Sequence, residues 1–136
     1  MDAVDTPHFA AAVSAFTRAL DGRLAGGVMS FPDLFSETAT IVVPFDGDGD
    51  SAPVVGRAAI VEMSQSLSGF LWFDEVTFQS VLATADPAVV VCEYAAVLRR
   101  TDMPGRQRRR YIAVITFDEG RISTLREYGG PFLQVK

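Results

Sequence analysis

The chain has 136 residues, 49% hydrophobic and 21% charged, with a formal net charge of −5. That length and balance describe one globular domain over residues 1–136, and the acidity argues against nucleic acid as a partner. No apolar run approaches the roughly 18 residues of a membrane span, and Met1-Asp2-Ala3-Val4-Asp5 is no basic-then-apolar leader, so no membrane partner and a cytoplasmic location are expected.

The first element is an amphipathic helix from Pro7 to about Ala25. Its apolar residues Phe9, Ala12, Val13, Phe16, Leu20 and Leu24 recur at three- and four-residue spacing. Thr6 is the candidate N-cap, Pro7 suits the first helical position, and Gly26-Gly27 ends the helix. A short helix or turn follows at Pro32 to Phe35, and the β-branched run Thr40 to Phe45 predicts a strand. Asp46-Gly47-Asp48-Gly49-Asp50 is loop by composition. It imitates half of a calcium loop, but Ser51 and Arg57 stand where that pattern requires Gly and Glu, so calcium is rejected.

Gly56 introduces a second helix, Arg57 to Ser68, with Ala59, Ile60, Met63 and Leu67 on its apolar face. Four strands are then predicted, at Leu71–Leu82, Ala88–Leu98, Gln107–Phe117 and Arg121–Tyr128. They are separated by turn signals at Asp86-Pro87, Pro104-Gly105 and Glu119-Gly120. Helices followed by a strand meander give an α+β class, with helices on one face of a mostly antiparallel sheet. The strand around Val89 to Val97 is apolar on both faces, so both need cover. A second copy of the chain is the expected cover for the outer face, which makes a homodimer.

The single cysteine, Cys92, lies in a buried-strand pattern and reads as an inert core thiol. One Cys and one His, His8, leave no Cys/His metal site, and no cofactor is expected. Arg106-Gln107-Arg108-Arg109-Arg110 reads as a solvated strand edge, where charge discourages pairing with other chains.

Several stretches carry a family resemblance by their order: Pro32–Ala39, Val55–Ile60, Ala85-Asp86-Pro87, Arg110–Val114, Asp118–Ile122 and Arg126-Glu127-Tyr128. Together they resemble the NTF2-like superfamily, closest to its SnoaL-like and phenazine-biosynthesis A/B branch. The resemblance implies a cone-shaped, cystatin-like fold in which a strongly curved sheet, with N-terminal helices on its concave face, wraps an apolar pocket. It also implies dimers through the outer sheet face. In SnoaL-like cyclases an acidic residue on the last strand serves as acid/base, and Glu127 is the matching residue here. The histidine that phenazine A/B proteins carry near the position of Met63 is absent, and so is the ketosteroid isomerase set of an acidic base and a helix tyrosine.

The expected function is cofactor-free proton transfer on a hydrophobic or aromatic small molecule, by isomerisation, cyclisation or hydration, with Glu127 as the catalytic group. Phe45, Trp72, Tyr94, Tyr111 and Met63 are the expected substrate-binding wall, with Asp46 near its mouth. A non-catalytic ligand binder and a structural dimerisation domain are the alternatives. The competing role for Glu127 is an ion pair. With a two-residue turn at Glu119-Gly120, Glu127 falls opposite Ile112 and diagonal to Arg110; with a three-residue turn it falls opposite Tyr111.

Overall fold

The computed structural model describes Phe16 and residues 31–44 and 52–136. The helix expected over 7–25 (Phe16 excepted), His8, the loop 46–50, and the candidate pocket residues Phe45 and Asp46 lie outside the described residues.

A single 3-10 turn, Phe31–Leu34, leads straight into β1, Phe35–Val42. The first strand therefore starts earlier than the β-branched run suggests, because Phe35, Ala39 and Ile41 are all buried along it. A two-residue strand β2, Val54–Val55, pairs with β1. The helix α1, Arg57–Ser68, occupies the predicted span. Gly56 enters it at φ 91°, a conformation that costs glycine little, while its N–H donates to the Ala39 carbonyl at 2.7 Å. Ile60 is fully buried and anchors the helix. Among the described residues no helix is long and apolar enough to cross a membrane.

The four long strands follow as expected: β3 (Leu71–Ala83), β4 (Val89–Arg100), β5 (Arg106–Asp118) and β6 (Arg121–Gly129), with a short β7 at Leu133–Gln134. They form one open seven-stranded sheet in the order β2-β1-β6-β5-β4-β3, with β7 pairing β5. Among the described residues only the β1–β6 contact is parallel. Irregularities in the β1–β6, β3–β4 and β5–β6 pairings bend the sheet. The inner face carries the core: Val90, Cys92, Tyr94, Ala96 and Leu98 from β4, Tyr111, Ala113 and Ile115 from β5, and Ile122 and Leu125 from β6. Burial pushes the Cys92 thiol up from 9.0 to about 11, so it stays protonated at neutral pH.

Two expectations are corrected here. The arginine run 106–110 is not on a free edge, because that part of β5 pairs with β4 on one side and, at Gln107 and Arg108, with β7 on the other. Its members also divide between the faces: Arg106 sits 3.5 Å from Asp74 in an exposed pair, while Arg109 turns inward.

The second correction concerns register. Glu119 and Gly120, at φ 49° and 81°, form a two-residue hairpin turn, one of the two alternatives, and Asp118 pairs with Arg121. Phe117 then pairs with Ile122, but Thr116 pairs with Thr124. Ser123 is the extra residue of a bulge, and its hydroxyl donates to the Thr116 carbonyl at 3.2 Å. Beyond it every partner moves by one, so Glu127 lies opposite Ala113 on the inner face. A one-residue slip exchanges the faces of a strand. Arg110 is left on the opposite side of β5 from Ala113, so the alternative diagonal pairing with Glu127 does not form.

Deleting Ser123 should remove the bulge yet keep Leu125 and Glu127 on the inner face, because Ile122 and Leu125 then stand two positions apart. Leu125→Ala, which empties a buried site, should cost about 2–5 kcal/mol in urea unfolding. The Ser123 deletion should cost less than that, and Thr124→Ala should stay within about 1 kcal/mol of the parent.

Candidate active site

The curved inner face encloses a cavity of about 370 Å³ between β1, α1 and the β4–β6 strands. Its wall is mostly apolar. Phe31, Ile41, Leu71, Phe73 and Leu125 line it, and α1 contributes Met63 and Leu67. The polar lining comes from Glu127, Tyr111, Arg100 and Arg109.

Glu127 reaches the cavity because the bulge turned it inward. The Tyr94 hydroxyl donates to its Oε2. Tyr94 is 1% exposed, so its ring cannot swing away without emptying core volume. It is held on two sides, stacked on Tyr111 with centroids 4.9 Å apart and edge-on to Phe16 at 6.2 Å. No partner for Glu127 Oε1 is found among the described residues. One carboxylate oxygen is thus tied to a rigid tyrosine and the other borders the cavity.

The expected wall residues divide. Met63 and Tyr111 line the cavity. Tyr94 lies behind the wall and acts on it through Glu127. Trp72 lies elsewhere: it pairs with Arg99 on the outer side of β3, its ring 6.0 Å from that guanidinium, while its neighbour Phe73 faces in. The alternation of a strand makes one of two adjacent aromatics point away, and the composition of Trp72-Phe73 does not say which. Glu93, on the outer face, accepts a 2.6 Å hydrogen bond from Ser80.

Sequence reasoning missed Arg100, Arg109 and Phe132. The Phe132 ring lies between the two guanidiniums, 4.9 Å from Arg100 Cζ and 4.3 Å from Arg109 Cζ. Arg100 Nε and Nη2 donate to both carboxylate oxygens of Asp102 at 2.9 and 2.7 Å. Those hydrogen bonds, foremost among the causes, hold the Asp102 carboxyl below its ordinary range. Arg109 stacks on the Tyr111 ring at 5.1 Å, and its Nε donates to the Gly130 carbonyl at 2.8 Å. The signal that could have found Arg109 was Gly129-Gly130-Pro131, read only as a stop to the strand. A Cβ at Gly129 would overlap the Arg109 guanidinium, so that glycine makes room for the arginine.

The SnoaL-like domain family matches residues 11–125. The chain belongs to that family. Its fold is the NTF2-like one, and solved structures agree. A Bacillus subtilis protein named as a candidate isomerase superposes with a TM-score of 0.79 at 24% identity, over 91% of this chain and 89% of that one. SalBIII, an epoxide hydrolase/cyclase-like enzyme with a role in pyran ring formation in the polyether salinomycin, superposes with a TM-score of 0.72 at 23% identity, over 93% of both chains. In sequence the chain is 28% identical to the uncharacterized protein YesE of Bacillus subtilis (strain 168) over 106 residues, 76% of this chain and 71% of that protein. At these identities the structural likeness establishes the shared fold of this SnoaL-like domain.

A double-mutant cycle tests the central contact. Tyr94→Phe removes the donor and Glu127→Ala removes the acceptor, which a glutamine amide oxygen would keep, so their non-additivity in urea unfolding reports the hydroxyl–carboxylate bond. The expected coupling is about 1–3 kcal/mol. A coupling near zero would mean that the two groups do not interact in solution.

Proposed function

We propose that this SnoaL-like domain is a cofactor-free enzyme of small-molecule proton transfer, acting on a hydrophobic or aromatic substrate by isomerisation, cyclisation or hydration. The observation that carries the reading is the asymmetric Glu127: Oε2 accepts the Tyr94 hydroxyl, and Oε1 has no protein partner among the described residues. A carboxylate held this way can take a proton from a substrate carbon, hydroxyl or water through Oε1 and return it elsewhere on the same molecule. Tyr94 fixes the carboxylate's direction, and the apolar wall from Phe31, Phe73 and Leu125 excludes bulk water and holds a hydrocarbon body. SalBIII, with its role in ring formation on the same fold, supports this range of chemistry.

The test begins with a panel of apolar epoxides and β,γ-unsaturated ketones. Against whichever the protein turns over, Glu127→Gln should keep binding and lower kcat by about 10²- to 10⁴-fold. Binding with unchanged turnover in that variant would remove the catalytic role and leave a ligand-binding domain.

The same proposal places a second copy of the chain on the outer sheet face. Leu82 and Ile112 are 51% and 44% exposed there, beside Val91 and Val114. Glu93 and Arg110 border the same shallow depression with Tyr128, and a face carrying both signs suits a two-fold contact with itself. Sedimentation at micromolar concentration should show a dimer, and Ile112→Arg should give a monomer. A parent chain that sediments only as monomer would reject this interface.

A further inference from the structure

The proton-transfer reading accounts for Glu127 and the apolar wall but leaves Arg109 without a task. The two cavity arginines differ. Arg100 spends its Nε and Nη2 hydrogens on both oxygens of Asp102, and its charge is offset there. Arg109 spends one hydrogen, from Nε to the Gly130 carbonyl. No carboxylate pairs with it among the described residues, so both terminal nitrogens keep their donors.

The guanidinium is also held in place. Its Cζ lies over the Tyr111 and Phe132 rings, 5.1 and 4.3 Å from their centroids, its Nε bond limits its rotation, and glycine at 129 leaves the space it fills. A planar cation fixed beforehand, with an unspent fork of N–H groups, is suited to bidentate binding of a planar carboxylate. An arginine serving only to tie the chain at Gly130 would need neither the two rings nor the glycine.

We propose that Arg109 is an anion-recognition subsite of the cavity and that the ligand is an amphipathic monocarboxylate, with an apolar or aromatic body and one acid group. Charge favours one negative group over a phosphate dianion, because Arg109 is the one cavity cation without a carboxylate partner among the described residues, and Glu127 lines the same cavity. The strand supplies the spacing. The Arg109 guanidinium lies over Gly129, which stands two positions from Glu127 on β6, about 7 Å along that strand. The acid group is therefore held at one end of the cavity while Glu127 meets the body of the ligand. Arg109 is a specificity residue in this arrangement, and the inference rests on the cavity being the ligand site proposed above.

Equilibrium binding tests it without any turnover. The probes are 2-naphthoate and its neutral amide, 2-naphthamide, titrated calorimetrically near neutral pH. The parent protein should bind the acid about ten- to a hundred-fold more tightly than the amide, the range of a charge-assisted hydrogen-bonded contact. Arg109→Gln should abolish that preference by weakening the acid and sparing the amide. Gly129→Ala, which leaves the arginine in the chain but crowds its guanidinium, should reduce the preference in the same direction and guards against a folding artefact in the first variant. Equal binding of acid and amide by the parent overturns the anion subsite and leaves the Glu127 reading standing. Absence of saturable binding by either probe overturns the subsite and counts against the cavity as a ligand site.

Discussion

One inserted residue in β6 governs how this molecule presents its chemistry. Ser123 has no counterpart on β5, so Ile122 and Leu125 both reach the inner face although three positions separate them. A strand of strict period two could bury only one of them. Burying both fixes the bulge, and the bulge carries Glu127 inward two residues later, with Arg126 and Tyr128 turned out. The direction of the carboxylate is thus a by-product of core packing. The hydrophobic residues that hold β6 to the sheet also aim the group proposed to act on substrate.

A second constraint joins the sheet to the cavity. Phe78, Tyr94 and Tyr111 stand on three successive strands in register, with neighbouring centroids 5.4 and 4.9 Å apart. Arg109 covers Tyr111, Phe132 covers Arg109, and Arg100 lies between Phe132 and Phe70. Alternating rings and guanidiniums run from the buried core to the cavity lining. Each guanidinium lies against aromatic rings, an arrangement favoured by the ring quadrupole and weakened little by partial burial. Tyr94 in the core and Arg109 in the cavity wall are therefore parts of one packed column. A change in the middle of it, at Tyr111, touches both the proton-transfer pair and the proposed anion site.

Much of the fold was legible from local patterns. The helix Arg57–Ser68 and the spans of β3 to β6 follow from apolar periodicity and from Gly, Pro and Asp turn signals, each of which acts within a few residues. The family resemblance drew attention to Arg126-Glu127-Tyr128. The misreadings share one cause, since each needed knowledge of a neighbouring strand. Arg106–Arg110 looked like an edge because nothing local says that β4 and β7 flank it. Trp72 and Phe73 compete for the inner face, and the pairing of Phe73 with Leu98 decides between them. Arg109 and Phe132 are far apart in pattern terms, one in a basic run and one in a terminal loop.

Residue types and their spacing by themselves determined the α+β class, the order of the described helix and long strands, a tight turn around Glu119-Gly120, and the buried thiol. Those features depend on backbone preferences and apolar repeats that act over short stretches. Tertiary structure decided which way Glu127 points, that Tyr94 is its partner, and that Arg109 shares its cavity. The register of β6 against β5 is chosen by the joint burial of Ile122 and Leu125, and only the assembled core can make that choice.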